Sequence, residues 1–156
     1  MPKIKNIERL IKAKDINDSI IKLDNFVAEA CAYGDELEKL TEPQKNFYFN
    51  QSLEREINNG GFHQFFLNSS GDFATETILS LTVIGAVHTV PILQEAIDQF
   101  PQGHVPKDQT ERQNLIEKIE DEASEIWNKL DQRFFEYQDN LNQLNMNYVR
   151  ENSSYF

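Results

Sequence analysis

His63 is the side chain best suited to move a proton or hold a metal, because imidazole titrates near neutral pH. Two carboxylates, Glu54 and Glu56, precede it. They stand two residues apart, so on a helix they point to different sides. Di-iron helical bundles place Glu three residues before His on one helix face. No Glu stands three residues before His63, His88 or His104, and no paired-histidine ligand spacing occurs. Gly60-Gly61 ahead of Phe62 has the outline of an anion cradle at a helix start. Yet no Lys or Arg lies between Arg55 and Lys107, and the glycine spacing fits neither nucleotide-binding motif. Ser69 and Ser70 lie outside a nucleophile elbow. The residues therefore predict no catalytic site, no metal and no cofactor, and they read His63 as a polar residue at a junction.

A second pattern is electrostatic. Glu117, Asp121 and Glu125 recur at i, i+4 and i+8, opposite the apolar positions Ile119, Ile126 and Leu130, with Glu120 and Asp131 toward one flank. Each i to i+4 step rises about 6 Å along a helix. A carboxylate row on that scale can imitate part of the charge pattern of a nucleic-acid strand and meet the phosphate-binding Arg and Lys of a DNA-binding protein. The same row also serves as an ordinary solvated helix face.

The whole chain sets the context for that row. Its 156 residues fit one domain, residues 1–156, with 39% hydrophobic and 26% charged residues. The net charge is -11, but residues 1–14 hold Lys3, Lys5, Arg9, Lys12 and Lys14 against Glu8 alone. A surface this acidic repels phosphates and anionic lipid, so neither direct nucleic-acid binding nor a membrane partner is expected. A basic protein is the partner it would attract. Cys31 is the only cysteine, which excludes an internal disulfide and suits a reducing compartment. No apolar run follows the basic N-terminus as in a signal peptide, and none has the length of a membrane span. A cytoplasmic protein is expected.

The elements that must position these residues are helices throughout. Ile4, Ile7, Leu10 and Ile11 predict a short basic amphipathic helix that covers a core groove. Ile20, Leu23, Val27, Ala30 and Cys31 predict a helix over about 17–33, capped from Asp15 to Ser19 and ended by Gly34. Thr41-Glu42-Pro43-Gln44 has the form of a capping box. It opens a helix through Phe47, Tyr48, Leu53 and Ile57 to about Asn59. Asn58-Asn59-Gly60-Gly61 then ends it, with Gly60 expected in the left-handed conformation. Phe62, Phe65 and Phe66 give a short helix to Asn68, and Asn68 to Asp72 opens the next, with Ser70 or Asp72 as cap. Residues 73–86 are apolar on most sides and predict the central helix of the domain. A further helix restarts at Thr89-Val90-Pro91 and reaches Phe100. Pro101 to Lys107 is a loop. Asp108 or Thr110 caps a long helix, or two with a kink, to about Tyr137, and a weaker helix follows over Leu141 to Val149. The fold class is all-α, a single compact helical domain of about seven to nine helices.

The stretch Glu56-Ile57-Asn58-Asn59-Gly60-Gly61-Phe62-His63-Gln64-Phe65-Phe66-Leu67-Asn68-Ser69-Ser70-Gly71 resembles the signature of a bacterial domain family of largely unknown function, whose best-known member is a DNA-mimic protein. The likeness continues at Glu76-Thr77, Ile84-Gly85-Ala86, Phe100-Pro101 with Pro106, Leu130 to Phe135, and Tyr148 to Phe156. It covers most of the chain from about residue 41, and the first forty residues carry no matching motif. The resemblance implies an all-helical fold and a homodimer. For the DNA-mimic member it implies an acidic surface that occupies the DNA-binding face of a helix-turn-helix repressor. Asn58, Asn59, Gly60, Gly61, Phe62, Phe65, Phe66, Asn68 and Gly71 are then structural.

Three functional readings follow. The first is a non-enzymatic acidic interaction domain, a DNA mimic that binds a basic DNA-binding protein through Glu117, Glu120, Asp121, Glu125 and Asp131. The second is an enzyme or small-ligand binder with a polar pocket near Asn58, Asn59, His63, Gln64 and Asn68. The third is an immunity- or antitoxin-like inhibitor of a basic toxin.

Overall fold

The computed structural model describes residues 2–156, and among these there are seven α-helices and no strand. They are α1 (Ile7–Lys12), α2 (Ile16–Ala30), α3 (Glu42–Leu67), α4 (Ala74–Val83), α5 (Thr89–Ile97), α6 (Gln109–Phe135) and α7 (Leu141–Glu151). Short 3-10 turns lie between α2 and α3 (Ala32–Gly34 and Leu37–Lys39), between α3 and α4 (Ser69–Phe73), between α5 and α6 (Pro101–Gly103) and after α7 (Ser153–Tyr155).

Helix starts follow local chemistry. The Asp15 side chain accepts from Asp18 N at α2, and Asp108 accepts from Glu111 N at α6. At α3 the capping box is complete. Thr41 Oγ1 accepts from Gln44 N at 3.3 Å while Gln44 Oε1 accepts from Thr41 N at 3.0 Å. The α6 helix runs its 27 residues without a break.

The core has two parts, and α3 passes through both. Its first half, with α1, α2 and α7, encloses Leu23, Val27, Cys31, Phe47, Met146, Val149 and Phe156. Its second half, with α4, α5 and α6, encloses Phe62, Phe65, Phe66, Phe100, Trp127 and Phe134. Each fully buried phenylalanine contributes about 1.5–3 kcal/mol of transfer free energy. The N-terminal arm is docked over the first part. Ile11 is buried, its carbonyl accepts from Arg150 Nε at 2.9 Å, and Pro2 O accepts from Gln44 Nε2 at 2.9 Å.

Three expectations change. The central element is α3, not residues 73–86. The α4 helix is amphipathic in use, with Leu81 buried but Leu79 62% and Val83 57% exposed. Neither Ser70 nor Asp72 caps α4, because Ser70 Oγ donates to Phe65 O and Asp72 accepts from Arg112. The left-handed glycine of the junction is Gly61 (φ 74°), whereas Gly60 has φ -159° and ψ 16°.

Candidate functional site: a glycine junction and an acidic helix face

The junction is built from backbone outward. At Gly61 the chain takes φ 74° and ψ -171°, which a side-chain-bearing residue rarely adopts. The next N–H, that of Phe62, donates to Asp131 Oδ1 at 2.8 Å. A Cβ on Gly61 would lie 2.2 Å from Asp131 Oδ2. Thus α6 supplies the cap for the second half of α3, and only glycine admits it. Burial pushes the Asp131 carboxyl up, opposed by the Phe62 N–H and by His63.

Below the cap the aromatic side chains interlock. Phe66 meets Phe100 at 4.9 Å and Trp127 at 5.2 Å between ring centroids, and Phe62 meets Phe134 edge-on at 6.5 Å. The Trp127 indole donates to Ala96 O at 3.0 Å. Beyond them Arg112, wholly buried, gathers the chain as it leaves α3. Its guanidinium donates to Phe66 O (2.6 Å), Asn68 O (2.8 Å), Pro106 O (2.8 Å), Lys107 O (3.2 Å) and Asp72 Oδ1 (2.7 Å). Gly71 is required here by space, since its Cβ would come 2.7 Å from Arg112 Nε and 2.9 Å from Phe66 O.

The polar residues of the stretch are engaged with one another. Gln64 Nε2 and Asn68 Nδ2 both donate to Glu56 Oε2 at 2.9 Å. Asn58 Nδ2 donates to Glu54 O at 2.8 Å and to the Tyr137 hydroxyl at 2.7 Å. Asn59 is exposed. His63 is half-exposed beside Trp127, with Nε2 3.6 Å from Glu120 Oε2. These groups do not converge on a shared hollow. Among the described residues no group of three or more His, Cys, Asp or Glu is arranged to hold a metal ion.

The acidic row lies on the neighbouring surface. Glu117, Glu120, Asp121 and Glu125 are all exposed on α6. Asp131 is the exception. It is turned inward as the cap described above, because the Phe62 N–H needs an acceptor, and it does not extend the row. Glu125 is paired with Lys129 at 2.9 Å, which holds its carboxyl below the usual range through that hydrogen bond and charge. Glu122 belongs to the same surface. With Asp121, Lys118 and Gln99 it edges a polar hollow of about 310 Å³ between α5 and α6.

Two groups stood outside the sequence expectations. Arg112 looks like any helical arginine in sequence; Gln109, Thr110, Glu111 and Gln113 around it give no sign of a buried guanidinium. Asp139, in the α6–α7 connection, caps α5 from fifty residues away. Its Oδ2 accepts from His88 N (2.9 Å), Thr89 N (2.7 Å) and Thr89 Oγ1 (2.7 Å). Its place in a polar Gln-Asp-Asn run gives no local cue.

The chain matches the model of the DMP19-like protein family over residues 38–152, most of its length, and belongs to that family. The matched span begins where the capping box of α3 approaches and contains the whole junction. No curated protein and no solved structure matches the chain significantly. No helix among the described residues is long and apolar enough to cross a membrane.

Proposed function

With the chain placed in the DMP19-like family, we propose that it is a non-enzymatic acidic interaction domain that acts as a DNA mimic, binding the DNA-contacting surface of a basic protein such as a transcription factor. The observation that carries this reading is the exposed face of α6. Between Glu117 and Glu125 it presents five carboxylates against Lys118 alone. A helix holds the backbone that carries these charges at fixed spacing, so only the side chains need ordering when a partner arrives. The basic arm does not interrupt the face, since α1 packs on α2 and α7 whereas α6 packs on α3 and α5. Cations arranged to contact successive phosphates would meet carboxylates instead, and the attraction would weaken steeply with salt. The free, buried Cys31 suits a cytoplasmic setting.

The test is retention of host proteins on the immobilised chain at low salt. A DNA-binding protein is expected on the wild-type chain and its release by duplex DNA. The triple variant Glu117→Lys, Asp121→Lys, Glu125→Lys is expected to lose it. Equal retention by both chains would overturn the assignment of this face.

A further inference from the structure

A hollow of about 400 Å³ lies between α2 and the N-terminal arm that carries α1, where the arm reverses the acidic balance of the chain. Lys5, Arg9 and Lys22 edge it together with Asn6, Asp18 and Ser19. The Asp18 carboxylate is already held by Lys22 Nζ at 2.6 Å. Lys5 and Arg9 have no carboxylate within ion-pair distance among the described residues, although the chain carries 26 acidic side chains against 15 basic ones. Ser19 is wholly buried, and its hydroxyl has no hydrogen-bond partner among the described residues. Buried hydroxyls are ordinarily bonded, so an unsatisfied one in the wall of a hollow calls for a partner.

These features select the occupant. Three cations against one carboxylate, converging on a concave surface, favour an anion. Ammonium and guanidinium donors with a hydroxyl beside them are the donor set that phosphate oxygens accept from. The volume falls within the range of small-molecule sites, more than a phosphate group alone fills. Leu10 and Ala13 complete the wall and give a carbon skeleton an apolar surface. We infer that this hollow binds a phosphate monoester of a small organic molecule. Lys5 and Arg9 hold the phosphate, Ser19 donates to an oxygen seated against it, and Lys22 is shared between the phosphate and Asp18. The site is built from the arm and α2 alone, so it does not rest on the reading of α6.

Titration of the isotope-labelled full chain, followed by amide NMR shifts at constant ionic strength, tests it. Inorganic phosphate and adenosine 5′-monophosphate are the probes, with adenosine as the control. Both phosphates are expected to shift amides across residues 5–22 saturably, and adenosine is expected to leave them in place. Adenosine 5′-monophosphate should bind at least about tenfold more tightly than inorganic phosphate. Lys5→Gln with Arg9→Gln should weaken that binding at least about tenfold with the melting temperature retained, because both side chains are exposed. Lys39→Gln with Lys129→Gln removes the same charge from other exposed positions and should leave binding unchanged. Ser19→Ala should weaken binding without lowering the melting temperature of the free chain, since the hydroxyl makes no bond there; a serine that served only the fold would not give that split. Absence of saturable shifts with the two phosphates, or equal losses in the two double variants, would overturn the proposal. A lipid surface as the source of the phosphate would overturn it too. Its mark is cosedimentation with phosphatidic acid vesicles that Lys5→Gln with Arg9→Gln abolishes, without binding of adenosine 5′-monophosphate. None of these outcomes depends on whether α6 binds a DNA-binding protein.

Discussion

At Gly61 the backbone sits in a region closed to most side chains, and a carboxylate oxygen of Asp131 occupies the space a Cβ would need. Gly61→Ala is therefore expected to cost about 2–3 kcal/mol in chemical denaturation, from backbone strain and displacement of the cap. The paired Gly60 and Gly61 announce a sharp turn in sequence. Which of the two is left-handed depends on Asp131, seventy residues on, and so was not legible. Arg112→Met is expected to be worse. It leaves Asp72 without its partner and several buried carbonyls without donors, for a loss of about 3–5 kcal/mol. Glu54 gives a pH dependence. Burial raises its carboxyl above the ordinary value of 4.5, partly offset by the Tyr137 hydroxyl, with nearby Asp24 adding to the rise. The native state then keeps this proton to higher pH than the unfolded chain does. Stability contributed here falls as pH rises from about 4.5 through the raised native value, then levels off. Glu54→Gln should flatten that slope and raise the melting temperature at neutral pH relative to wild type, as measured by thermal denaturation across the acid range.

Helices were legible wherever the signal was local. The Thr41 to Gln44 capping box, the Asp15 and Asp108 caps and the long apolar repeat of α6 all stand in the structure as their residues predict. What was not legible comes from contacts between distant elements. The apolar run over 73–86 predicted a central helix, yet α4 turns Leu79 and Val83 outward, since periodicity registers hydrophobicity and not what is available to cover it. The cap on α5 comes from Asp139 in another connection. Asp139→Ala would leave the His88 and Thr89 amides without an acceptor, for an expected loss of about 1–3 kcal/mol. Hydrogen exchange should show faster opening across the first turn of α5 while α2 and the first half of α3 keep their protection, because they belong to the other part of the core.

For the molecule as a whole, α3 joins two cores and its glycine break lets one helix serve both. The family signature records that joint: Gly61 and Gly71 admit Asp131 and Arg112, and Phe62, Phe65 and Phe66 fill the space between them. The same stretch looked in sequence like a place for ligand chemistry, but its Asn, Gln and Glu side chains close on each other. The acidic face of α6 was visible as spacing, while the inward turn of Asp131 and the neighbouring Glu122 and Gln99 required the packing of α5 and α3 on α6. On the proposed reading, function rests on the exposed carboxylates of α6, and the affinity for the partner should follow their charge. Competition between the chain and labelled duplex DNA for the DNA-binding protein recovered on it, followed by fluorescence anisotropy at increasing salt, tests that claim most directly. The wild-type chain is expected to displace the DNA fully, with an inhibition constant that weakens steeply with salt and at least about a tenfold loss for the Glu117, Asp121 and Glu125 charge reversal, equivalent to about 1.4 kcal/mol. Binding of the chain and the DNA to the protein at the same time, or an inhibition constant unchanged by the charge reversal, would contradict it.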